Sequence, residues 1–260
     1  MTLRESFSRR RMEAAPAFIP YLMAGDPDIA TTEALILSLD RCGAVAIELG
    51  IPYGDPLADG ATIAAAGARA LLRGIGIPEV LDLIARLTPR IKASIVLFTY
   101  FNPIDRYGLE KFATDAARVG ASAAIVPDLA LEESAELRAI FKRNALDMPL
   151  LVAPSTPPER AVRIAAASSG FLYVVSRLGV TGAGNAPDFA LMRAQISSLR
   201  RSTQLPIAVG FGVSRNEHVR ALADDVDAVI VGSALIDAYS GCSGEAAVRA
   251  VEAFVVKLMT

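Results

Sequence analysis

Eight short apolar runs alternate along the chain with longer amphipathic runs, and this alternation constrains the fold more than any other feature. The apolar runs are continuous rather than alternating in polarity, which is typical of parallel strands buried on both faces. The predicted strands cover residues 18–23, 45–49, 94–100, 123–126, 150–152, 171–175, 206–209 and 228–231. The predicted helices cover residues 31–41, 78–87, 109–119, 131–144, 157–167, 189–199, 216–223 and 244–257.

Eight strand–helix pairs in a chain of 260 residues predict an α/β fold, a (β/α)8 TIM barrel that forms one domain over residues 1–260. A doubly wound open sheet is the alternative, but it favours a GxGxxG turn after the first strand, where this chain reads AGDPD. Two additions to the barrel are expected: an N-terminal helix in residues 3–14 and an extra helix at 63–73, after strand 2. Asp28 is a predicted helix cap, and Ser214 with Glu217 forms a capping-box pattern.

Composition excludes several classes of protein. Hydrophobic residues make up 53% of the chain and charged residues 21%, which is enough apolar surface for a large core. The net charge is −2 and the longest basic run is residues 9–11, which argues against a nucleic-acid-binding surface. No run approaches the ~18 apolar residues of a membrane span, and no signal peptide is evident. With only two cysteines, we expect a cytoplasmic protein with reduced thiols.

The scarcity of histidine and lysine limits the possible chemistry. His218 is the single histidine, so a site with several histidine ligands is impossible. The lysines are Lys92, Lys111, Lys142 and Lys257, and none follows a predicted strand, where a barrel enzyme would present a Schiff-base nucleophile. We therefore expect no metal and no cofactor, with chemistry carried by carboxylates and backbone donors.

The segment 47–62, IELGIPYGDPLADGAT, contains the candidate carboxylates. Glu48 lies inside an apolar strand, where a charge costs several kcal/mol unless it is paired or used. Asp59 follows eleven residues later in a loop rich in Gly, Pro and Asp. Together they could divide proton transfer. A buried ion pair for Glu48 and a turn role for Asp59 are the alternatives, and Asp55 and Asp128 share the same ambiguity.

Glycines after the last three strands indicate a phosphate site. Gly182 follows strand six, Gly212 follows strand seven, and Gly232 with Ser233 opens the helix after strand eight. Barrels commonly bind phosphate on the loops after strands seven and eight, where backbone N–H groups can approach an anion. The alternative is that these glycines only serve turns that need a positive φ.

Aromatic residues stand at or near several strand ends. They are Tyr21, Phe98, Tyr100, Tyr173 and Phe211. Most aromatics at such positions belong to the core. If they converge at one mouth of the barrel, they would suit a flat apolar part of a substrate beside the phosphate.

A set of motifs in order along residues 18–235 is similar to one known family. FIPYLMAGDPD, ELGIPYGDPLADGATI, FNPI…YG, PDLALEES, YVVSRLGVTG, VGFGVS and VIVGSAL together resemble the tryptophan synthase alpha subunit family. The resemblance implies a barrel that cleaves indole-3-glycerol phosphate to indole and glyceraldehyde 3-phosphate. The implied reaction is a retro-aldol step in tryptophan biosynthesis, without metal or Schiff base.

The resemblance also implies roles for individual residues. Glu48 would protonate C3 of the indole ring and take part in removing the proton from the glycerol hydroxyl. Asp59 would stabilise the positive charge that develops at the indole nitrogen, and Tyr173 would lie beside the reacting centre. The phosphate would be held by loops that carry Thr181, Gly182, Gly212, Gly232 and Ser233. The segment 176–185 would be a lid over the substrate.

The chain departs from the family pattern at Gly54, Ala61, Ala64 and Ala130, where the family usually has Ser, Pro, Gln and Pro. These positions lie near loops that in the family meet the beta subunit, a pyridoxal-phosphate enzyme that receives indole through a tunnel. Pairing in an alpha2beta2 heterotetramer and a stand-alone lyase that releases free indole therefore both stay open. Further alternatives are a non-catalytic partner that binds the phosphate ligand and a different phosphate-binding barrel.

Overall fold

Eight parallel strands form the centre of the molecule. The computed structural model describes residues 3–10, 16–175, 189–210 and 212–260. The strands are β1 Ala17–Met23, β2 Ala46–Gly50, β3 Ser94–Phe98, β4 Ala121–Ile125, β5 Leu151–Val152, β6 Leu172–Val175, β7 Ile207–Gly210 and β8 Ala228–Val231. Their neighbour order is β4-β3-β2-β1-β8-β7-β6-β5. All eight predicted strands are therefore present, with shifts of one or two residues at their ends.

Backbone pairing between β4 and the segment just before β5 closes the sheet. Asp147 pairs in parallel with Ala123. The Ala124 N–H donates to the Asp147 carbonyl at 3.0 Å, and the Asp147 N–H donates to the Ser122 carbonyl at 3.0 Å. This closure confirms the predicted (β/α)8 barrel. The single-domain organisation over residues 1–260 stays a prediction.

Twelve helices surround the barrel within the described residues. They are α1 Leu3–Arg10, α2 Ile29–Arg41, α3 Ala61–Leu72, α4 Ile77–Leu87, α5 Phe101–Tyr107, α6 Leu109–Arg118, α7 Ala135–Arg143, α8 Pro158–Ala167, α9 Phe189–Arg200, α10 Asn216–Leu222, α11 Ser233–Tyr239 and α12 Gly244–Met259. The expected N-terminal helix and the extra helix after β2 are both present. The short helix α5 was not predicted, whereas α11 begins at Ser233, where the sequence predicted that a helix opens. None of the helices in these ranges has the length and apolar character that crossing a membrane requires.

One of the two predicted helix caps is correct. The Thr31 N–H donates to Asp28 Oδ1 at 2.7 Å, so Asp28 caps α2 as expected. The capping box of Ser214 and Glu217 is wrong. The helix α10 begins one residue later than that pattern requires, with Arg215 as its N-cap. The Ser214 N–H donates to Nδ1 of the buried His218 at 3.4 Å instead.

The N-terminal helix α1 covers the end of the barrel at which the strands begin. Leu3 and Phe7 are buried, and the Phe7 ring lies 5.9 Å from the ring of Phe171, just before β6. The Ser6 and Ser94 hydroxyls are hydrogen-bonded at 2.8 Å, which ties α1 to the start of β3. Because α1 closes this end, the opposite end is left for loops and a site, as is usual for this fold.

Truncating the Phe7 side chain tests this role of α1. We expect Phe7→Ala to lower the free energy of unfolding by about 3–5 kcal/mol, because it leaves a cavity against Phe171. Leu72→Ala is the control, since Leu72 is 88% exposed, and it should change that free energy by less than about 0.5 kcal/mol. Urea unfolding measures both values. Equal, small effects would show that α1 does not stabilise the barrel.

Candidate active site

A cleft opens where the strands end. It brings together eight of the residues predicted from the sequence, namely Tyr21, Glu48, Asp59, Phe98, Tyr173, Gly212, Gly232 and Ser233. Ile63, Val213 and Ile230 complete its lining. The cleft therefore has two carboxyl groups, an apolar wall and a glycine-rich rim.

Glu48 lies on β2, the second strand of the barrel. It pairs in register with Tyr21 of β1 and with Val96 of β3, and it is only 1% exposed. Its Oε1 atom has no hydrogen-bond partner among the described residues, and no cation in those ranges forms a salt bridge with it. Burial raises the pKa of Glu48 to about 8. The carboxyl group is therefore neutral at pH 7, and the alternative of a buried ion pair finds no support.

Asp59 lies in the loop between β2 and α3, two residues before the helix begins. It is half-buried, and its N–H donates to the Pro56 carbonyl at 3.2 Å. Burial raises the pKa of Asp59 to about 6, and a hydrogen bond from Tyr100 opposes that shift. Asp59 is therefore ionised at pH 7, unlike Glu48 in the same cleft.

Tyr100 lies behind Asp59 and is not among the residues that line the cleft. Its hydroxyl accepts a hydrogen bond from the Ala58 N–H at 3.0 Å and donates to the Asp59 carboxylate. The Tyr53 ring lies 5.3 Å from the Tyr100 ring. Tyr100 therefore holds the loop around Asp59. Its contacts support Asp59, and its role in substrate binding stays a prediction.

Two buried tyrosines line the apolar wall beside Glu48. The Tyr21 ring packs edge-on against Phe98, with ring centroids 5.7 Å apart. A Cβ atom on Gly50 would lie 2.2 Å from the Tyr21 hydroxyl, and one on Gly210 would lie 2.2 Å from the Tyr173 hydroxyl. Only glycine fits at these two strand ends. The importance of Gly50 and Gly210 could not be predicted from the sequence, because the tyrosines that they contact belong to neighbouring strands.

The glycine-rich rim lies at the ends of β7 and β8. Gly212 has a φ of 112°, and Gly232 precedes the first residue of α11, Ser233. A Cβ atom on Gly232 would lie 3.5 Å from the Tyr21 Cβ and 3.6 Å from Ile63 Cδ1. These are ordinary van der Waals distances, and Gly212, Gly232 and Ser233 all line the cleft.

Three predicted site residues lie outside the described residues. They are Thr181, Gly182 and Phe211, and the predicted lid segment 176–185 is outside as well. Of the ambiguous carboxylates, Asp55 is exposed. Asp128 accepts hydrogen bonds from the Phe101 N–H at 2.9 and 3.2 Å, so it caps the short helix α5.

The described part of the chain contains no group of three His, Cys, Asp or Glu side chains placed to hold a metal ion.

Ile63, Val213 and Ile230 were not predicted as lining residues. Ile230 belongs to a continuous apolar strand, where the sequence pattern does not distinguish the side chains that face the barrel from those that face the helices.

The fold is a (β/α)8 barrel, and its candidate site contains two carboxyl groups. A sequence model of the tryptophan synthase alpha chain family matches residues 7–259. The alpha chain of Gloeobacter violaceus is 48% identical over 230 residues, which cover 88% of this chain and 83% of that relative. The alpha chain of Arabidopsis thaliana is 42% identical over 235 residues, covering 90% of this chain and 85% of that one.

A solved structure of Mycobacterium tuberculosis tryptophan synthase matches with a TM-score of 0.90 at 34% identity, covering 99% of this chain and 96% of that one. The chain belongs to the tryptophan synthase alpha chain family. This membership confirms the predicted family. It also confirms the predicted class of enzyme, a carbon–carbon lyase that cleaves indole-3-glycerol phosphate in tryptophan biosynthesis.

The shifted pKa of Glu48 predicts a pH-dependent stability. Between its ordinary pKa of 4.5 and its folded value of about 8, the unfolded chain releases the proton while the folded protein keeps it. Over this range Glu48 should lower wild-type stability by about 1.4 kcal/mol per pH unit. We therefore expect Glu48→Gln to gain stability over the wild type from pH 5 to pH 8, as measured by urea unfolding at each pH.

The exposed Asp55→Asn is the matched control, since its stability relative to the wild type should not change with pH over the same range. A Glu48→Gln difference that stays constant with pH would contradict the assignment of a neutral buried carboxyl group.

Proposed function

We propose that Glu48 and Asp59 carry out the cleavage of indole-3-glycerol phosphate in opposite charge states. The observation that supports this most directly is that the two carboxyl groups line one cleft. Burial raises the pKa of Glu48 to about 8 but that of Asp59 only to about 6, so the two groups differ in charge at pH 7. Environments that separate two pKa values in this way assign the acid and the stabilising anion.

The first step is protonation. Glu48 donates its proton to C3 of the indole ring, which places a positive charge at the ring nitrogen. The Asp59 carboxylate stabilises this charge. A pKa near 8 suits Glu48 to this step, because the proton is present at neutral pH yet is not held too tightly to transfer.

The second step breaks the carbon–carbon bond. The hydroxyl on the glycerol carbon attached to C3 loses its proton, and Glu48, now a carboxylate, takes part in removing it. The electron pair of the broken bond returns to the indole ring and neutralises the nitrogen. One proton is gained at C3 and one is lost from the hydroxyl, so indole and glyceraldehyde 3-phosphate form without any other reactant.

The remaining lining residues hold the two ends of the substrate. The indole ring lies against the apolar wall formed by Tyr21, Phe98 and Tyr173. The phosphate lies at the opposite rim, where the backbone at Gly212, Gly232 and Ser233 faces the cleft. By family resemblance, Thr181, Gly182 and Phe211 are also assigned to substrate binding.

Variants of the two carboxyl groups test the mechanism. We expect Glu48→Gln to lower kcat by about 10²–10⁴-fold with little change in KM, because it removes the proton donor. Asp59→Asn should also lower kcat, because the charge at nitrogen loses its partner. Wild-type kcat/KM should be bell-shaped in pH, with limbs near 6 and 8. Asp59→Asn should lose the lower limb.

Asp55→Asn is again the matched control, because this exposed carboxyl group lies in the same loop as Asp59, and it should retain wild-type kcat and pH profile. Steady-state release of indole measures all of these values. Unchanged turnover in Glu48→Gln would rule out the assigned mechanism.

We also propose that the chain works as the alpha subunit with a tryptophan synthase beta subunit in the cytoplasm. The relatives are alpha chains of tryptophan synthase, which favours this role over a stand-alone lyase. The free thiols of Cys42 and Cys242 agree with a reducing compartment. Leu57, 71% exposed in the loop that follows β2, offers an apolar contact at the rim of the cleft. Gly54, Ala61 and Ala130 are exposed on the same side of the barrel.

Mixing the chain with the beta chain of Gloeobacter violaceus tryptophan synthase tests the pairing. We expect an alpha2beta2 complex by sedimentation and faster indole-3-glycerol phosphate cleavage in the mixture. Leu57→Ser should weaken the complex at least about tenfold, because it removes apolar area from the contact, whereas Leu72→Ser, at a leucine that is even more exposed, should not. High unaided turnover with no complex would favour the stand-alone enzyme.

A further inference from the structure

A buried carboxylate outside the cleft joins two of the helices that form its walls. Asp26 follows β1 and is 1% exposed. Arg69 of α3 donates from Nε to Oδ1 at 2.7 Å and from Nη2 to Oδ2 at 2.9 Å, which makes a bidentate ion pair. The Tyr239 hydroxyl, at the end of α11, lies 3.4 Å from Oδ2 and donates to it. One side chain therefore contacts both α3 and α11.

Each of these two helices begins at the cleft, next to a different part of the candidate site. The helix α3 begins two residues after Asp59, and α11 begins at Ser233 on the glycine-rich rim. Two further contacts join the helices near the cleft. The Thr62 hydroxyl donates to Asp237 Oδ1 at 3.1 Å, and Ile63 packs beside Gly232. The helices are thus joined at both ends, by Asp26 at one end and by these contacts at the other.

The geometry of the Asp26 contact suits it to fixing the position of α3 relative to α11. A bidentate pair holds the planar guanidinium group in one orientation, which a single contact to a lysine would not do. Asp26 is buried, whereas Arg69 is 46% exposed and keeps contact with water. Movement of α3 away from α11 would therefore separate the buried carboxylate from one of its two partners.

We propose that Asp26 is a positioning residue that couples the phosphate end of the cleft to Asp59. Because α3 and α11 move as one unit, phosphate held at Gly232 and Ser233 also fixes the loop that carries Asp59. The binding energy of the phosphate, which does not react, is then used to position Asp59 at the indole ring, which does. This inference rests on the proposed roles of Asp59 and of the glycine-rich rim.

The test compares two substrates, indole-3-glycerol phosphate and indole-3-glycerol without the phosphate. The ratio of their kcat/KM values measures the phosphate advantage. We expect Asp26→Asn to lower this ratio at least about tenfold, with cleavage of the unphosphorylated substrate within about threefold of wild type. Arg69→Lys, which keeps the charge but loses the bidentate geometry, should lower the ratio too. If Asp26→Asn does not fold, Arg69→Lys provides the test instead.

Arg193→Gln is the matched control, because it removes a comparable ion pair, Arg193 Nε to Asp225 Oδ2 at 2.8 Å, from the outer helices. It should leave the ratio unchanged. Partial unfolding lowers turnover of both substrates equally and cannot change the ratio, so the measurement separates positioning from stability. An unchanged ratio in Asp26→Asn, with or without equal losses of activity on both substrates, would overturn the proposal.

The same assay distinguishes failure of this inference from failure of the proposed function. If Glu48→Gln cleaves both substrates as the wild type does, the catalytic assignment fails whatever the Asp26 variants do. If Glu48→Gln is inactive but Asp26→Asn keeps the wild-type ratio, only the coupling fails.

Discussion

Burial of Glu48, with no salt bridge to a cation in the part of the chain that the structure describes, is the constraint on which the rest of this site depends. An ionised carboxylate at this position would cost several kcal/mol, so the protein keeps the group protonated at neutral pH. A carboxylic acid in that state can donate a proton to carbon, which an exposed glutamate at pH 7 cannot do to a useful extent. The chemistry thus follows from where the strand β2 places one side chain.

The barrel determines the position of Glu48 and the difference in pKa between Glu48 and Asp59. The strand β2 lies between β1 and β3, so Glu48 is enclosed by neighbouring strands. Asp59 lies in a loop, where Tyr100 stabilises its anion. At the opposite end of the barrel, α1 buries Leu3 and Phe7. One end of the barrel is therefore used for stability and the other for catalysis, and the activity depends on the loops and on the helices that hold them.

Local patterns predicted much of this arrangement. The continuous apolar runs gave the strands, and a carboxylate inside one of them drew attention to Glu48. Contacts between distant segments could not be read in the same way. The pair of Asp26 and Arg69 spans 43 residues, and the fit of the Tyr21 hydroxyl over Gly50 depends on strand register. The wrong cap at Ser214 has a local cause, because His218, four residues further along, accepts the Ser214 N–H and the helix begins one residue later.

Direct titration of the Glu48 carboxyl group tests the central claim. In protein labelled with ¹³C at glutamate side chains, the Glu48 signal is the one absent from Glu48→Gln. Its chemical shift should report a single protonation with a midpoint near pH 8. A midpoint near 4.5, the ordinary value for glutamate, would show that Glu48 is ionised at neutral pH and would contradict its assignment as the proton donor.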